Sequence, residues 1–450
     1  MLQGHADARV IRQQRLNAAD RAMLTVDRIL REMGSAGFET QTLVWTSAPI
    51  DVVALRTAIA RLSARHPVIT ARLVDCAERG PHWQFRPGAA CPLEEVASSA
   101  DPTAVLDYAG RLLSAPSYPA EADPVRFHLL HRPNGREVLI LQYNHALIDN
   151  NAALFVLQEI DRLSRFGADK PEEGQNEGRD LVREYLRRFP RDRRRRAASR
   201  NLRQWGRSVR GGVVTLSKRP TRAVTGGVRI ATRALDENAT RALEARVIQT
   251  TGFPSLSMAL AGSAFRAIGR LTPQRGIEGR GFVAGIGVDL GLRGRGGLIF
   301  QNLVSLVPIS ARAEELHDRD ALVRMLSRQL RERLAGDADL GMLQLVALLG
   351  HRPDGRWVIE HALRHSFSLW YAYFGSLDAI GDSFCGAPIE QIYYAGPAWP
   401  AVGLTLLVNQ HRNRLFLQAT YTFESVPETL AHCFLDLVIA DLAATPDRSR

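Results

Sequence analysis

The chain has 450 residues, of which 45% are hydrophobic and 23% charged, and a formal net charge of +11. This composition is typical of a folded globular protein and excludes a disordered or fibrous chain, and the length favours more than one folded unit. The four cysteines include no CxxC pair, which argues against a disulfide framework or a thiolate zinc site. The N-terminus lacks a signal-like apolar stretch and no window approaches the ~20 apolar residues of a membrane span, so we expect a cytoplasmic protein.

In the first half of the chain, hydrophobic periodicity predicts alternating helices and strands. Asp51 is placed to cap the second predicted helix, and Pro67 ends it because the residue before proline avoids the helical region. A Pro-Asn-Gly turn at 133–135 predicts a hairpin. The predicted helices are 18–31, 52–62 and 152–165, and the predicted strands are 40–46, 68–74, 125–130 and 137–143.

The second half repeats this mixture of elements. The predicted helices are 237–248, 256–271 and 428–442, and the predicted strands begin near 228 and cover 282–290, 298–309, 403–409 and 415–423. Interspersed helices and strands in both halves predict an α/β (mixed α+β) fold with two lobes. We place the first lobe at 1–175 and the second at 227–450.

Nearly all of the excess positive charge lies between the two lobes. Residues 183–222 contain fourteen Arg and one Lys against two acidic residues. We therefore predict a basic linker or surface helix over 176–226. No nucleic-acid reader motif accompanies this charge, so we expect no nucleic-acid partner.

The strongest local signal is the sequence NHALIDN at 144–150, where a buried-looking strand ends and a helix is about to begin. Strand-end loops often expose catalytic groups in such folds, and the neutral imidazole of His145 is suited to general-base catalysis. Asp149 is placed either to cap the following helix or to hold an arginine. On spacing alone, the alternative is a hydrogen-bonded core histidine followed by a capping aspartate.

This segment resembles the HHxxxDG signature of condensation domains, polyketide-associated acyltransferases and bacterial wax-ester synthases. Other segments resemble the same families in the same order. They are the helix and strand at 50–72, DPVRF at 123–127, VDL at 288–290 followed by Arg293, QNL at 301–303, and AYFGSL at 372–377. The resemblance implies two chloramphenicol-acetyltransferase-like lobes with an active-site tunnel between them.

The resemblance also implies roles for individual residues. His145 corresponds to the catalytic histidine, and Asp149 to a structural aspartate with Arg293 as its partner. The first histidine of the signature is replaced by Asn144, a structural position, and its glycine by Asn150. Further tunnel candidates are Asn150, Asn302, Tyr373 and Gly375, although strand packing is an alternative role for Asn302.

The function implied by the resemblance is direct acyl transfer from a thioester to an acceptor hydroxyl, with His145 as general base. The donor would be an acyl-CoA or an acyl-carrier protein, so its phosphopantetheine thioester is a co-substrate and no other cofactor is expected. The acceptor would be a small-molecule or lipid alcohol or amine, in specialised-metabolite or lipid biosynthesis. The alternatives are a free-standing condensation enzyme that forms an amide, and a non-catalytic binding protein with a degenerate signature.

Three interpretations of the basic segment stay open. The first is a solvated linker, and the second is a docking surface for an acidic carrier protein. The third is a helix that lies on an anionic membrane surface, which would make the protein peripheral to the inner face of the membrane. Elsewhere, His361 and His365 are four residues apart but lack the glutamate of an HExxH motif, so we expect no metal site.

Overall fold

The computed structural model describes residues 13–76, 80–115, 117–167, 179–217, 227–273, 276, 279–292, 299–349 and 355–444. The elements of the first half begin with a short strand and a helix whose first turn is fixed by a capping box between Asn17 and Asp20. They are β1 (Gln13–Arg15), α1 (Ala18–Glu32), β2 (Glu39–Thr46), α2 (Val52–Arg65), β3 (Arg72–Cys76), β4 (Gly80–Gln84), β5 (Leu93–Ala97), α3 (Pro102–Ser114), β6 (Val125–His131), β7 (Glu137–Asn144) and α4 (Asn150–Phe166).

The basic segment and the second half follow. Their elements are α5 (Leu181–Arg187), α6 (Arg191–Val209), β8 (Val228–Leu235), α7 (Glu237–Thr251), α8 (Leu256–Leu271), β9 (Gly281–Asp289), β10 (Val304–Arg312), α9 (Arg319–Ala335), α10 (Ala338–Leu349), α11 (Gly355–His365), β11 (Trp370–Ser376), β12 (Ser383–Phe384), β13 (Ala387–Ala395), β14 (Thr405–His411), β15 (Arg414–Thr422) and α12 (Glu428–Ala443). None of the helices in the described ranges combines the length and apolar character needed to traverse a bilayer.

Two larger sheets organise the lobes. In the described part of the chain, the first lobe holds a six-stranded sheet in the order β12-β13-β2-β7-β6-β5, and the second a four-stranded sheet in the order β11-β14-β15-β8. Strand β13 lies late in the chain but pairs antiparallel with β2 of the first lobe. The division at 175 and 227 therefore describes the order of the segments but not the membership of the sheets.

Each sheet packs on helices through buried apolar side chains. In the first lobe, α2 and α4 cover one face of the six-stranded sheet, and in the second, α7, α8 and α12 contribute to the core around the four-stranded sheet. Helix α3 packs on strands of both sheets. Helix α1 belongs to the first half, yet its Ile29 and Leu30 are buried in the core of the second lobe. The first half of the chain therefore contributes directly to the core of the second lobe.

Most predicted elements are present within a few residues, and Asp51 caps α2 as expected by accepting hydrogen bonds from the backbone of Val53 and Ala54. The predicted strand at 68–74 is wrong in its first half. Residues Pro67–Thr70 form a 3-10 turn, and strand β3 begins only at Arg72. Proline at the first position of the turn fixes φ near the helical value, which favours this turn over an extended strand.

The predicted strand at 298–309 is also wrong at its beginning, because β10 starts at Val304. The backbone N–H of Asn302 donates to the carboxylate of Asp20, and that of Leu303 donates to the carboxylate of Asp149. Side chains of the first half thus take the backbone donors that a longer strand would use in its ladder.

Helix α6 of the basic segment is partly buried and is not a solvated linker. Ala197, Ala198 and Asn201 are buried, and the side-chain amide of Asn201 donates to the carbonyl of Ala338 at the start of α10. The arginines of α6 occupy mainly the opposite, exposed side.

The packing of α3 on β8 predicts a position that cannot accept a larger side chain. A Cβ atom at Gly110 would overlap the carbonyl oxygen of Val228, which is a backbone atom with little freedom to move. We expect Gly110→Ala to lower the free energy of unfolding by about 1–3 kcal/mol. Gly206→Ala, in the exposed part of α6 with open space around it, should instead raise it by about 0.4–1 kcal/mol. Urea unfolding of both variants tests this contrast, and equal effects would contradict the close packing.

Candidate active site

His145 directly follows the last residue of β7, beside the beginning of β2. Its backbone N–H donates to the carbonyl oxygen of Phe38 at 3.0 Å, and the Phe38 ring stacks on the imidazole with a centroid distance of 4.5 Å and an interplanar angle of 30°. Because Phe38 is buried and also contacts Trp399 edge-on, the imidazole has one fixed wall. Its plane is therefore set by packing from the first lobe.

The imidazole faces a cavity of about 590 Å³ between the lobes. Most of the lining is apolar, and it comes from α1, α6, α10, α11 and strands of both lobes. Such a cavity favours an apolar ligand, with a few polar groups fixing its orientation. The lining residues closest in sequence to His145 are Asp149, Asn150 and Asn151, and the helical wall includes Met23, Trp205, Met342, Val346, Ile359 and Leu363.

Asn302, from the second half of the chain, is the direct partner of His145. Its amide oxygen lies 3.0 Å from Nδ1 of the imidazole. Its amide nitrogen donates to the backbone carbonyl of His145 at 2.8 Å and to Asp20 Oδ1 at 3.0 Å. The amide orientation follows from these acceptors, because a flipped amide would turn its oxygen toward a carbonyl and a carboxylate. Asn302 lies before β10, which begins at Val304. The alternative role of strand packing that we considered for Asn302 is therefore wrong.

Asp20 supports this arrangement from the first turn of α1. Its side chain is buried, and its oxygens accept from the backbone N–H and the amide of Asn302 and from the backbone N–H of Asn17. Burial raises the pKa of Asp20 to about 7, although these hydrogen bonds act in the opposite direction. The sequence patterns did not single out Asp20, because an acidic residue in a first helical turn is an ordinary capping feature.

Asp149 fixes the loop after His145. Its Oδ1 accepts from the backbone N–H of Ala152 and caps α4, and its Oδ2 accepts from the backbone N–H of Leu303. Asp149 thus joins the beginning of a first-lobe helix to the segment that carries Asn302. Arg293, the predicted partner of Asp149, lies outside the described residues.

Asn144, which replaces the first histidine of the signature, is a buried structural residue. Its side-chain oxygen accepts from the backbone N–H of Ala146 at 2.9 Å, and its amide donates to Glu39 Oε1 at 3.2 Å. The pKa of Glu39 is raised above its usual value because the carboxylate is buried, although the guanidinium of Arg126, 3.0 Å away, acts in the opposite direction. An amide satisfies this buried carboxylate without adding a second ionisable group.

Of the four predicted tunnel residues, Asn150, Tyr373 and Gly375 line the cavity and Asn302 does not. Asn150 is the first residue of α4 and its side-chain oxygen accepts from the hydroxyl of Tyr143. Tyr373 donates to Gln410 Oε1 at 2.8 Å, and burial, aided by the charge of Glu244, raises the pKa of Tyr373 to about 12. Gly375 has φ +72°, a conformation that favours glycine, within the bulge of β11.

Burial lowers the pKa of His145 below its usual value. A hydrogen bond to its own backbone, the charge of Asp149 and the hydrogen bond with Asn302 act in the opposite direction without cancelling this effect. The imidazole is therefore neutral near pH 7. A neutral ring bears one proton, and the side-chain oxygen of Asn302 requires that proton to lie on Nδ1. Nε2, which donates to none of the described residues, keeps its lone pair.

No family model matches this sequence, and no curated protein matches it. Its structure, in contrast, is similar to solved structures over nearly its whole length. The first condensation domain of the CDA synthetase has a TM-score of 0.72 and 15% identity, over 96% of this chain and 95% of that chain. The trichothecene 15-O-acetyltransferase from Fusarium sporotrichioides has a TM-score of 0.69 and 11% identity over the same shares.

A third similar structure is the starter condensation domain of rhizomide synthetase in complex with an acyl-CoA, with a TM-score of 0.69 and 13% identity over 96% of this chain and 95% of that chain. These likenesses concern the fold. The chain has the two-lobed fold of condensation domains and chloramphenicol-acetyltransferase-like acyltransferases, which confirms the fold that the sequence resemblance predicted.

The surroundings of His145 predict the direction in which the pKa of its imidazole departs from that of an exposed histidine. Because burial penalises the charged imidazolium, the neutral form should persist to lower pH than in an exposed histidine, and we expect a pKa below 6.5. His131 provides an internal contrast: burial lowers its pKa, but hydrogen bonds to Glu137 and Glu95 outweigh this effect and raise it above 6.5. Histidine-selective NMR, with His145→Gln used for assignment, measures both values. A pKa of His145 above that of His131 would contradict the dominant effect of burial on the His145 ring.

Proposed function

We propose that this protein is an acyltransferase that moves an acyl group from a thioester to an acceptor hydroxyl, with His145 as the general base. The observation that carries the proposal is the state of the His145 ring. Nδ1 is engaged by the side-chain oxygen of Asn302, and the ring lines an apolar cavity between the lobes. The fold is one that includes acyltransferases, which supports the same reaction class.

The chemical step would follow from that arrangement. The acceptor hydroxyl approaches Nε2 of His145, and its oxygen attacks the thioester carbonyl carbon as Nε2 takes the proton. The new C–O bond gives a tetrahedral intermediate, which collapses when the C–S bond breaks. The imidazolium returns the proton to the departing thiolate, so the ring ends in its starting state. General-base catalysis supplies roughly 10²–10⁴-fold of such an acceleration, and juxtaposition of two substrates supplies much of the remainder.

The donor in this proposal is an acyl-CoA or an acyl-carrier protein. The predominantly apolar lining supports an acyl group as the buried part of the donor. A similar structure, the starter condensation domain of rhizomide synthetase, is in complex with an acyl-CoA. The phosphopantetheine thioester would be a co-substrate, and the residues named here require no other cofactor for the step.

Amide formation with an amine acceptor is the closest alternative, because the same base would take a proton from nitrogen. The other alternative, a non-catalytic binding protein, rested on the loss of the first histidine and the glycine from the signature. The contacts of Asn144 weaken that argument, because its side chain forms hydrogen bonds with Glu39 and with the backbone of Ala146 and not with the His145 ring. The loss of the first histidine therefore leaves the proposed base intact.

We expect His145→Ala to lower turnover by roughly 10²–10⁴-fold. Thiol release from a panel of acyl-CoAs and acyl-carrier proteins, with alcohol and amine acceptors, measures the change and distinguishes ester from amide formation. Acceptor-dependent release that persists unchanged in His145→Ala would refute the role of the base. Absence of release by the wild type with every donor of both classes would refute the acyltransferase.

Asn302→Ala tests how the base is oriented. Without its side-chain oxygen, the Nδ1–H group loses its side-chain acceptor and the tautomer is less strongly fixed, so we expect kcat to fall on the order of 10²-fold with little change in KM. The ¹⁵N shifts of His145 should also change from a predominantly Nδ1–H ring to a mixture of tautomers. Gln301→Ala, at the neighbouring position whose side chain bonds Asn17 and Arg179 instead, is the control for general disturbance of this segment. Equal kinetic losses in the two variants would refute a specific role for Asn302.

A further inference from the structure

Thr40, the second residue of β2, carries a buried hydroxyl group that other groups leave unsatisfied. The residue is 3% exposed, and its Oγ1 atom has no hydrogen-bond partner among the described residues. A buried hydroxyl in this state has given up its hydrogen bonds to water without gaining others, and most buried polar groups avoid this loss. Valine fits a strand position equally well. The hydroxyl of Thr40 therefore calls for a partner that is bound from outside the chain.

Thr40 also lines the cavity that contains His145. Other side chains in the described ranges bury unpaired polar atoms too, but of these only Thr40 belongs to the cavity lining. The hydroxyl and the methyl group of a threonine are attached to the same carbon, so rotation about the Cα–Cβ bond moves the hydroxyl from one staggered position to another. The hydroxyl can therefore turn toward a ligand in the cavity, and the ligand can supply the missing partner.

The register of the strands places Thr40 next to His145. Thr40 pairs with Tyr143 in the antiparallel ladder of β2 and β7, and the backbone N–H of His145 continues this ladder by donating to the carbonyl oxygen of Phe38. Side chains two residues apart in a strand lie on the same face. Thr40 and His145 are therefore diagonal neighbours on one face of the sheet, about 7–8 Å apart at the backbone.

On the other side of β2, the position beside Thr40 has no side chain. The ladder of β13 and β2 reaches Ala395 opposite Gln41, and continuing this register by one residue brings Gly396 opposite Thr40. Gly396 lines the cavity as well. Strands β7, β2 and β13 therefore meet the cavity at one edge of the sheet, where a histidine, a threonine and a glycine lie in neighbouring strands.

The proposed acyl transfer needs a hydrogen-bond donor at this edge of the sheet. Attack on a thioester places negative charge on the carbonyl oxygen, and a donor aimed at that oxygen stabilises the charge. The amide of Asn302 is not free to do this, because its nitrogen already donates to the backbone carbonyl of His145 and to Asp20. A threonine hydroxyl has one hydrogen to donate. Thr40 combines such a donor with a position in the cavity lining beside His145.

We propose that Thr40 donates a hydrogen bond to the carbonyl oxygen of the thioester during acyl transfer. This inference rests on the proposed function, because it requires a thioester carbonyl beside His145. As the acceptor oxygen attacks, one electron pair of the C=O bond moves onto the carbonyl oxygen, and the Thr40 hydroxyl stabilises that oxyanion. When the C–S bond breaks, the electron pair returns to the C=O bond. The carbonyl carbon thus lies between His145 and Thr40 throughout the step.

Thr40→Val tests this role because it removes the hydroxyl and keeps nearly the same side-chain shape. Steady-state thiol release is measured with the acyl donor and the acceptor that the wild type uses fastest. We expect kcat to fall on the order of 10²-fold with little change in KM, because the hydrogen bond strengthens as the oxygen gains charge. Thr40→Ser keeps the hydroxyl and should retain most of kcat.

Thr42→Val is the matched control. Thr42 is buried two residues further along β2, on the same face of the sheet, but it does not line the cavity. We expect this variant to keep the kcat of the wild type. Thermal unfolding of Thr40→Val should show no loss of stability, because the substitution removes a buried hydroxyl that has no partner in the described structure. A catalytic loss without a loss of stability separates contact with the substrate from a structural role.

Three outcomes overturn the assignment of Thr40 while leaving the acyltransferase in place. Wild-type kcat in Thr40→Val would mean that its hydroxyl does not contact the reacting carbonyl. Equal losses in Thr40→Val and Thr42→Val would trace the effect to a disturbance of β2. A Thr40→Ser variant as slow as Thr40→Val would show that shape matters and the hydroxyl does not. A wild type that releases no thiol from any donor would instead refute the acyl transfer, and this inference with it.

Discussion

The side chain of Asn302 is the interaction on which the candidate site depends. One amide group contacts the His145 ring, the His145 backbone and the Asp20 carboxylate, and these partners lie more than 150 residues away in the sequence. Because both lobes must be correctly joined before these contacts form, this orientation of the imidazole exists only in the assembled fold. The site is therefore a property of the interface between lobes and not of the signature segment alone.

Buried polar groups fix the position of one lobe relative to the other at this interface. Asp20, Asp149 and Glu39 are all buried carboxylates, and each accepts hydrogen bonds from backbone or amide groups of another element. Leaving one such group unpaired costs more than a typical hydrogen bond gains, so small shifts of one lobe against the other are penalised. The polar network and the stacked Phe38 ring together set the position of the His145 ring beside the open apolar cavity.

The sequence contained enough information for the order of the elements, the signature segment and the fold class. Local periodicity placed His145 and Asp149 between a strand and a capped helix, and the resemblance of NHALIDN to the HHxxxDG signature supplied the roles expected of them. The pairing of β13 with β2 joins segments that are more than 340 residues apart, and no local pattern reveals such a pairing. Helix α10 was missed because its apolar residues lie on all sides, which removes the periodicity that distinguishes a helix. Asp20 and Phe38 were missed because their importance comes entirely from residues brought to them by folding.

The pairing of β13, a strand of the second half, with β2 of the first-lobe sheet also limits how the chain can be divided into fragments. The antiparallel ladder between β13 and β2 runs from Ile389 and Thr46 to Ala395 and Gln41, so the lobes are held by backbone hydrogen bonds as well as by side chains. A fragment ending at residue 175 would keep β2 but lose its neighbour on that side, and an unpaired strand edge invites association with other chains. Because β13 completes the sheet of the first lobe, a fusion or dissection that preserves this ladder has to keep both lobes in one piece.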